Sequence, residues 1–243
     1  MASANVAIIA GTGVAQQFRG RGRTLKVPTR HGLVTFERLD DVPGVLLLRR
    51  HGVGHSVAPH RANYVAFADA CARLGLEGCY STAAVGSLRT DWPVGTLVVC
   101  SDFIDATGRQ LTRFENEVRH TDFTNPFDLR LRQHLIECGG ELRQPVQDAG
   151  VYVCTDGPRY ETPAEVSMYR TLGGDVVGMT AGSEGIAMRE AGVPYATLAI
   201  VTNLASGLSP RPLSHGEVEE ATKGSSEGIA NILFRACERL RNG

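Results

Sequence analysis

Apolar runs of strand length alternate with helical patterns between Gly150 and Asn203, and this alternation constrains the fold more than any other feature. One run lies around Val151, a second covers 176–180 and a third covers 196–201. Each run ends in polar or small residues, and a helical pattern separates it from the next. Strands that alternate with helices are typical of a parallel sheet whose faces are covered by helices.

The same alternation extends over the rest of the chain. Further strand-length runs cover 6–10, 44–48, 78–88 and 96–104, and helical patterns cover 61–74, 127–142 and 214–240. Residues 14–43 have the alternation of a β-rich excursion, whereas 105–126 has no helical period and is expected to be a lid or a subunit contact. The sequence therefore predicts a single α/β domain over 1–243, with a mixed, mainly parallel central sheet flanked by helices.

Two helix starts can be predicted from local chemistry. Thr162 is a candidate cap, since Pro163 follows at the first helical position and Glu165 lies in the first turn. Ser214, with Glu217 three residues later, is a candidate capping box for the C-terminal helix.

The composition excludes several classes of function. A net charge of −1 argues against a nucleic-acid or membrane surface that depends on bulk electrostatics. The chain contains no apolar run of transmembrane length and no signal-peptide pattern, so a cytoplasmic protein is expected. The six cysteines form no CxxC pair and no cluster with histidine, which favours buried free thiols over disulfides or a metal site.

Three of the predicted strands end in side chains that suit a nucleoside-like ligand. Glu161 follows the first strand of the 150–203 segment, Met179 and Thr180 end the second, and Asn203 ends the third. Ligands of open α/β sheets bind beyond the carboxyl ends of the strands. These residues suit a flat heterocycle with hydrogen-bonding edges, joined to a less polar group and an anion.

Candidate anion-binding groups lie nearer the N-terminus. Thr12 stands between two glycines after the first strand, but Gln16 occupies the place of the third glycine, so the dinucleotide fingerprint fails. A nicotinamide dehydrogenase is thereby disfavoured, and both an anion-binding turn and a plain turn remain open. Arg50 and His51 end another strand and suit an oxyanion, although a solvated basic loop is the alternative.

Taken in order, these motifs resemble those of the trimeric purine nucleoside phosphorylase and methylthioadenosine phosphorylase family. The resemblance spans nearly the whole chain and rests on IIAGTG, LRRHGVGHSVAPHRANY, STAAVGSL, RHTDF, GPRYETPAE, GDVVGMT, REAG and IVTN. Several motifs that agree in their order are more specific than any one alone.

The resemblance implies roles for eleven residues. Phosphate, the co-substrate, would be held by Thr12, Arg50, His51, the backbone of Ala84 and Thr180. The nucleoside would contact Tyr160, Glu161, Met179, Asn203, His215 and His120, the last from a neighbouring subunit of a homotrimer. Asn203, Glu161 and His51 would carry the catalysis, and no metal or organic cofactor is expected.

The purine base of the substrate can be predicted from Asn203 and Glu161. Family members that take 6-aminopurines resemble one another in two aspartates where this chain has Asn203 and Ala205. An asparagine can donate to a 6-oxo group, and Glu161 can accept from the N1–H that only a 6-oxopurine carries. Inosine, guanosine or 5′-methylthioinosine is therefore the expected substrate, with S-methyl-5′-thioadenosine as the alternative.

Alternatives for the 5′ group of the substrate and for the activity remain open. His215 favours a 5′-hydroxyl, whereas the long 105–126 loop favours a 5′-methylthio group. A nucleosidase is disfavoured because water needs no anion site, and a ligand-binding sensor would bind nucleoside without turnover. The family usually has a Pro-Glu pair after the Met-Ser/Thr, but Ala181-Gly182-Ser183-Glu184 lacks the proline, so a more flexible loop is expected there.

Overall fold

The computed structural model describes residues 6–18, 22–39, 42–209 and 215–242, in which nine strands form one sheet with five α-helices around it. The strands are β1 (Val6–Ala10), β2 (Arg23–Thr29), β3 (Gly32–Arg38), β4 (Val45–Arg49), β5 (Gly78–Ser87), β6 (Leu97–Asp105), β7 (Val146–Cys154), β8 (Val176–Gly178) and β9 (Tyr195–Leu204). The helices are α1 (Tyr64–Arg73), α2 (Leu129–Glu141), α3 (Pro163–Thr171), α4 (Ala181–Glu190) and α5 (His215–Asn242).

The strand order is β2-β3-β4-β1-β5-β8-β7-β6-β9, and β9 also pairs with β5. Five pairings are parallel and four are antiparallel, which confirms the mixed, mainly parallel sheet. The additional β5–β9 pairing closes five strands, β5, β8, β7, β6 and β9, into a ring. A register shift at Val85/Gly86 interrupts this pairing, and such bulges bend and twist strands.

Two helical layers cover the sheet. Successive side chains of a strand point to opposite faces, so the wholly apolar strands contribute to both layers. In β1, Ile9 packs in the cluster beside α1 and α4, whereas Ile8 packs in the cluster beside α2 and α5. The two faces of β1 are buried equally, and this explains why its sequence is a continuous apolar run rather than an alternating one.

Local chemistry fixes where the helices begin. Thr162 accepts a hydrogen bond from the backbone N–H of Glu165, and the Glu165 side chain accepts from the N–H of Thr162, so the predicted cap of α3 is a complete capping box. The predicted start of α1 at Arg61 was three residues early, since Pro59–Arg61 is a 3₁₀ turn and Asn63 caps the helix. Ser214, the candidate cap of α5, lies outside the described residues.

Two further expectations were wrong, and one was confirmed. Val14–Phe18, assigned to a β-rich segment, is a 3₁₀ helix that packs against α5. The expected flexible loop at Ala181–Glu184 is the first turn of α4, because the chain needs no proline to enter a helix whose first residues are buried. All six cysteines are free and buried, as predicted. The assignment of all 243 residues to one domain stays a prediction.

Gly11 allows the end of β1 to approach its neighbours closely. A Cβ atom at this position would lie 2.6 Å from Nη1 of Arg50 and 2.7 Å from the carbonyl oxygen of Thr82. Neither atom can retreat easily, since Arg50 is almost completely buried and Thr82 lies within β5. A glycine is therefore required where β1, β4 and β5 converge.

We expect Gly11→Ala to lower the free energy of unfolding by about 1–3 kcal/mol, the usual cost of overpacking a close-packed site. Gly140→Ala is the matched control, because a Cβ at Gly140 in α2 meets nothing within 4 Å. The measurement is denaturant unfolding of both variants at one protein concentration. Equal stability of the two variants would contradict this account.

Candidate functional site

The ends of β1, β4, β5, β7, β8 and β9 surround a cavity of about 500 Å³. Nine of the eleven predicted site residues line it, namely Thr12, Arg50, His51, Ala84, Tyr160, Glu161, Met179, Thr180 and Asn203. They come from distant parts of the sequence and are brought together because each follows or ends one of these strands. Their individual roles stay predictions.

One end of the cavity is rich in hydrogen-bond donors. His51 is mostly buried, its Nδ1 lies 2.9 Å from the carbonyl oxygen of Val57, and its ring stacks on that of His55 at 4.4 Å. Thr180 precedes α4, and its hydroxyl does not cap that helix. Because the N-terminus of a helix carries partial positive charge, an anion is favoured at this end of the cavity.

Arg50 at this end is held by a buried partner, Glu184 of α4. Nε and Nη2 of Arg50 both donate to the Glu184 carboxylate, the second at 2.9 Å, while Nη1 donates to the carbonyl oxygen of Thr82 at 2.8 Å. The two side chains are 1% and 0% exposed. A guanidinium has five N–H donors, so these bonds use three of them and leave two that can serve an anion.

The surroundings of this ion pair fix its charge state. Burial alone lowers the pKa of the Arg50 guanidinium, but the charge of Glu184 and its hydrogen bonds outweigh burial and raise that pKa above its ordinary value. Tyr195 donates to Glu184 at 2.6 Å, and burial, with the neighbouring carboxylate, raises the pKa of its phenol. Arg50 is therefore a permanent cation whose charge Glu184 offsets.

The other end of the cavity holds a carboxylate and an amide. Glu161 is 8% exposed, and its Oε1 accepts a hydrogen bond of 2.8 Å from the hydroxyl of Thr155. Asn203 is oriented on both sides, since its Oδ1 accepts from the Thr202 hydroxyl and its Nδ2 donates to the carbonyl oxygen of Leu204, both at 3.0 Å. An acceptor and an amide donor thus face the cavity together, as a 6-oxopurine edge would require.

Met179 also lines the cavity. Its thioether packs over Gly157, where an added Cβ would lie 2.3 Å from the sulfur. Arg109 holds the backbone of Met179 from the other side by donating to its carbonyl oxygen at 3.2 Å and to the Ser183 hydroxyl at 2.6 Å. Met179 therefore contributes an apolar surface to a cavity whose other walls are partly polar.

Two predicted site residues are not brought into this cavity. His120 is exposed in the segment between β6 and α2 and does not line the cavity of its own chain. His215 begins α5, but its side chain lies outside the part of the structure that is described. Residues 106–126 contain no helix or strand, as expected, and α2 begins at Leu129 rather than at the predicted Phe127.

Three residues of the site were missed by the sequence analysis. Glu184 was noted only for a missing proline, and Thr155 and Arg109 were not assigned any role. Glu184 is a buried acid at a helix start, but neither its burial nor the helix start could be predicted from the sequence, which indicated a flexible loop there. The contacts of Thr155 and Arg109 depend on the path of the loops, which no pattern in the sequence indicates.

The described residues contain no group of three or more histidine, cysteine, aspartate or glutamate side chains that could hold a metal ion. Within the same ranges, no helix combines the length and apolar content that crossing a bilayer requires.

The comparisons with known proteins agree with this geometry. A family model described as "Phosphorylase superfamily" matches residues 5–238. The chain is 41% identical to the 6-oxopurine nucleoside phosphorylase of Pyrococcus furiosus, over 95% of this chain and 91% of the relative. It is 37% identical to a probable S-methyl-5′-thioinosine phosphorylase of Methanopyrus kandleri, over 97% and 92% of the two chains.

Solved structures that share this fold are named for a different substrate, methylthioadenosine. The methylthioadenosine phosphorylase of Schistosoma mansoni in complex with adenine superimposes with a TM-score of 0.88 at 28% identity, over 98% of this chain and 92% of that one. A methylthioadenosine phosphorylase from an antarctic soil metagenomic library gives 0.88 at 27% identity, over 100% and 88%.

We expect Glu184→Gln to lower the free energy of unfolding by about 3–5 kcal/mol, because it leaves the Arg50 cation buried without a counter-charge. The same change is expected to reduce the stabilisation that inorganic phosphate gives in a thermal-shift titration, because Arg50 loses its fixed orientation. Asp91→Asn is the control, since Asp91 pairs with Arg89 at the surface and should leave both readouts nearly unchanged. Wild-type stability and phosphate response in Glu184→Gln would refute this role.

Proposed function

Because this chain belongs to the phosphorylase superfamily, we propose that it catalyses the phosphorolysis of purine nucleosides that carry a 6-oxopurine base. The products are the free base and ribose 1-phosphate, or its 5-methylthio analogue. The observation that carries the proposal is a single cavity whose lining combines the buried Arg50 cation with the Glu161 carboxylate and the Asn203 amide. Relatives 40–43% identical to this chain bear the name 6-oxopurine nucleoside phosphorylase or its "probable" form, which supports the same activity.

The proposed reaction uses the two ends of the cavity at once. Arg50, His51, Thr12, Thr180 and the N–H of Ala84 hold phosphate below the sugar. A phosphate oxygen forms a bond to the anomeric carbon as the bond from that carbon to purine N9 breaks, and the electron pair of that bond stays on the purine. Orienting the dianion supplies much of the rate enhancement, because the reactants are already placed for attack.

The leaving purine is stabilised at the other end. Negative charge grows on the base in the transition state, and the Asn203 amide donates towards its N7 and O6 side. Glu161 accepts the N1–H, and Met179 contacts the sugar. A proton from solvent then neutralises the purine. No step requires a metal or an organic cofactor, so inorganic phosphate is the proposed co-substrate.

The second candidate function is S-methyl-5′-thioadenosine phosphorolysis, which the names of the solved structures favour. Those structures share 27–28% identity with the chain, against 41% for the Pyrococcus furiosus relative. Asn203 and Ala205 stand where the resemblance places aspartates in 6-aminopurine enzymes, and this difference supports the 6-oxo base. The proposal includes substrates with either a 5′-hydroxyl or a 5′-methylthio group, because relatives named for each kind of nucleoside match over most of the chain.

We further propose a cytoplasmic homotrimer in which His120 completes the site of a neighbouring subunit. His120 is exposed, and the nearby Val118 is 91% exposed. A contact with a second copy of the chain would bury this apolar side chain. The chain segment that carries His120 is anchored to α4 on its N-terminal side, because Glu190 accepts a hydrogen bond from the backbone N–H of Arg113 at 2.7 Å. Six free thiols are in keeping with a reducing compartment.

The experiment that tests the function is base release from inosine, 5′-methylthioinosine, adenosine and 5′-methylthioadenosine, each with and without phosphate. We expect phosphate-dependent release of hypoxanthine to be fastest. Faster release of adenine would favour the second candidate. Release that is independent of phosphate would support a nucleosidase, and binding without turnover would support a sensor.

We expect Asn203→Asp to reduce kcat/KM for the preferred 6-oxopurine nucleoside by about 100-fold or more, since sites built on such hydrogen bonds can discriminate by up to ~10⁴–10⁵. The aspartate would accept from a 6-amino group, so the ratio of adenosine to inosine turnover should rise. Asn203→Ala is the control that removes the donor without adding an acceptor. A ratio that rises equally in both variants would contradict the assignment.

The composite site can be tested by mixing subunits. His120→Ala and Asn203→Ala chains, each of low activity, are co-expressed with different tags and the mixed oligomers are isolated. In a mixed trimer of either composition, one of the three sites pairs an intact His120 with an intact Asn203, so roughly a third of wild-type activity is expected. Mixed oligomers no more active than their parents, or an active monomer in sizing-coupled assays, would refute the shared site.

A further inference from the structure

Glu161 stands between two cavities, and only one of them is the substrate cavity. The second cavity measures about 180 Å³ and is lined by Asp156, Arg159 and Glu165 among others. Glu161 contributes to the walls of both. A carboxylate in this place has an alternative direction, towards the Arg159 guanidinium, in which it would no longer serve the base.

The Thr155 hydroxyl holds Glu161 at the base end. Thr155 is itself 8% exposed, and its backbone N–H donates to the carbonyl oxygen of Gly178 at 2.8 Å, so the end of β7 is fixed to the end of β8. The hydroxyl lies 2.8 Å from Oε1 of Glu161 and 3.4 Å from the Gly178 oxygen. A hydroxyl has one proton, and the shorter contact to a carboxylate is the stronger hydrogen bond.

The alternative direction is already occupied. Both carboxylate oxygens of Glu165 accept from the Arg159 guanidinium, at 2.8 and 2.7 Å. The same Glu165 belongs to the capping box of α3, which fixes its position. Arg159 is thus satisfied by Glu165, and Glu161 stays with Thr155.

Of the two carboxylate oxygens of Glu161, Oε2 is the one more available to the base. Oε1 is used by Thr155, and among the described residues none donates to Oε2. An oxygen that can only accept matches the N1–H of a 6-oxopurine. A 6-aminopurine has an unprotonated N1, whose lone pair would face this oxygen and lose its own hydrogen bond to water.

We propose that Thr155 is a positioning residue that sets the base preference by fixing the orientation of Glu161. This inference rests on the proposed phosphorolysis of 6-oxopurine nucleosides. Thr155 does not touch the reacting atoms. It keeps one carboxylate oxygen occupied and the other turned to the base, so the acceptor is in place before the substrate arrives.

The test compares Thr155→Val with Thr155→Ser. Valine keeps the shape and removes the hydroxyl, whereas serine keeps the hydroxyl and removes a methyl group. With the preferred 6-oxopurine nucleoside and saturating phosphate, we expect valine to lower kcat/KM by about tenfold, the effect of losing one hydrogen bond to a charged group. The loss should lie in the nucleoside KM and in hypoxanthine affinity, while the KM for phosphate changes by less than about twofold.

Two further readouts separate positioning from a merely structural role. The ratio of inosine to adenosine turnover should fall by about tenfold in Thr155→Val and stay near wild type in Thr155→Ser. Thr155→Ala is made as well, in case the valine variant does not fold, and it should match the loss expected for valine. Unfolding midpoints are measured for all three variants.

Each outcome bears on one proposal. A wild-type enzyme that releases no 6-oxopurine base with phosphate would overturn the proposed function, whatever the variants do. An active wild type together with unchanged base preference in Thr155→Val and Thr155→Ala would overturn only the role of Thr155. A KM for phosphate that rises as much as the nucleoside KM would also overturn it, because the defect would then be general.

Discussion

The buried pair of Arg50 and Glu184 is the interaction on which the rest of the site depends. It joins the end of β4 to the first turn of α4, which are 134 residues apart in sequence. A buried guanidinium is costly unless a counter-charge and further hydrogen bonds satisfy it, and Glu184, Thr82 and Tyr195 together provide these conditions. With the cation held in one place, the anion-binding end of the cavity exists before any ligand arrives, and Gly11 leaves the space that this arrangement needs.

The proposed base contacts and the buried Arg50 cation come from different parts of the sheet. Parallel strands deliver their carboxyl ends to a common edge, so β7 leads to Thr155 and Glu161, and β9 leads to Asn203. The cation comes instead from β4, on the open half of the sheet. In the proposed assignment, variation at the ends of β7 and β9 would alter the contacts to the base while leaving Arg50 and Glu184 in place. This separation is in keeping with structural relatives that share the fold while their names refer to a 6-aminopurine nucleoside.

Much of the fold could be predicted from the sequence, because strand runs and caps are local. The runs at β1, β4, β5 and β6 lie within one or two residues of their observed bounds, and the Thr162 cap is a complete capping box. The ring formed by the β5–β9 pairing could not be predicted, since pairing depends on contacts between distant strands. For the same reason the site residues at strand ends were foreseeable, whereas Glu184 and Thr155 were not: their importance comes from partners that the fold alone brings near.

The central claim is that phosphate held at the Arg50 end attacks the sugar of a nucleoside whose 6-oxopurine lies against Glu161 and Asn203. The most direct measurement follows the oxygen atoms of phosphate labelled with ¹⁸O at all four positions during turnover of inosine or 5′-methylthioinosine. The account predicts one sugar 1-phosphate for each hypoxanthine released, with all four labelled oxygens retained, because a phosphate oxygen forms the new bond to carbon. Hypoxanthine released together with unlabelled free sugar would mean that water is the nucleophile, and this result would contradict the account.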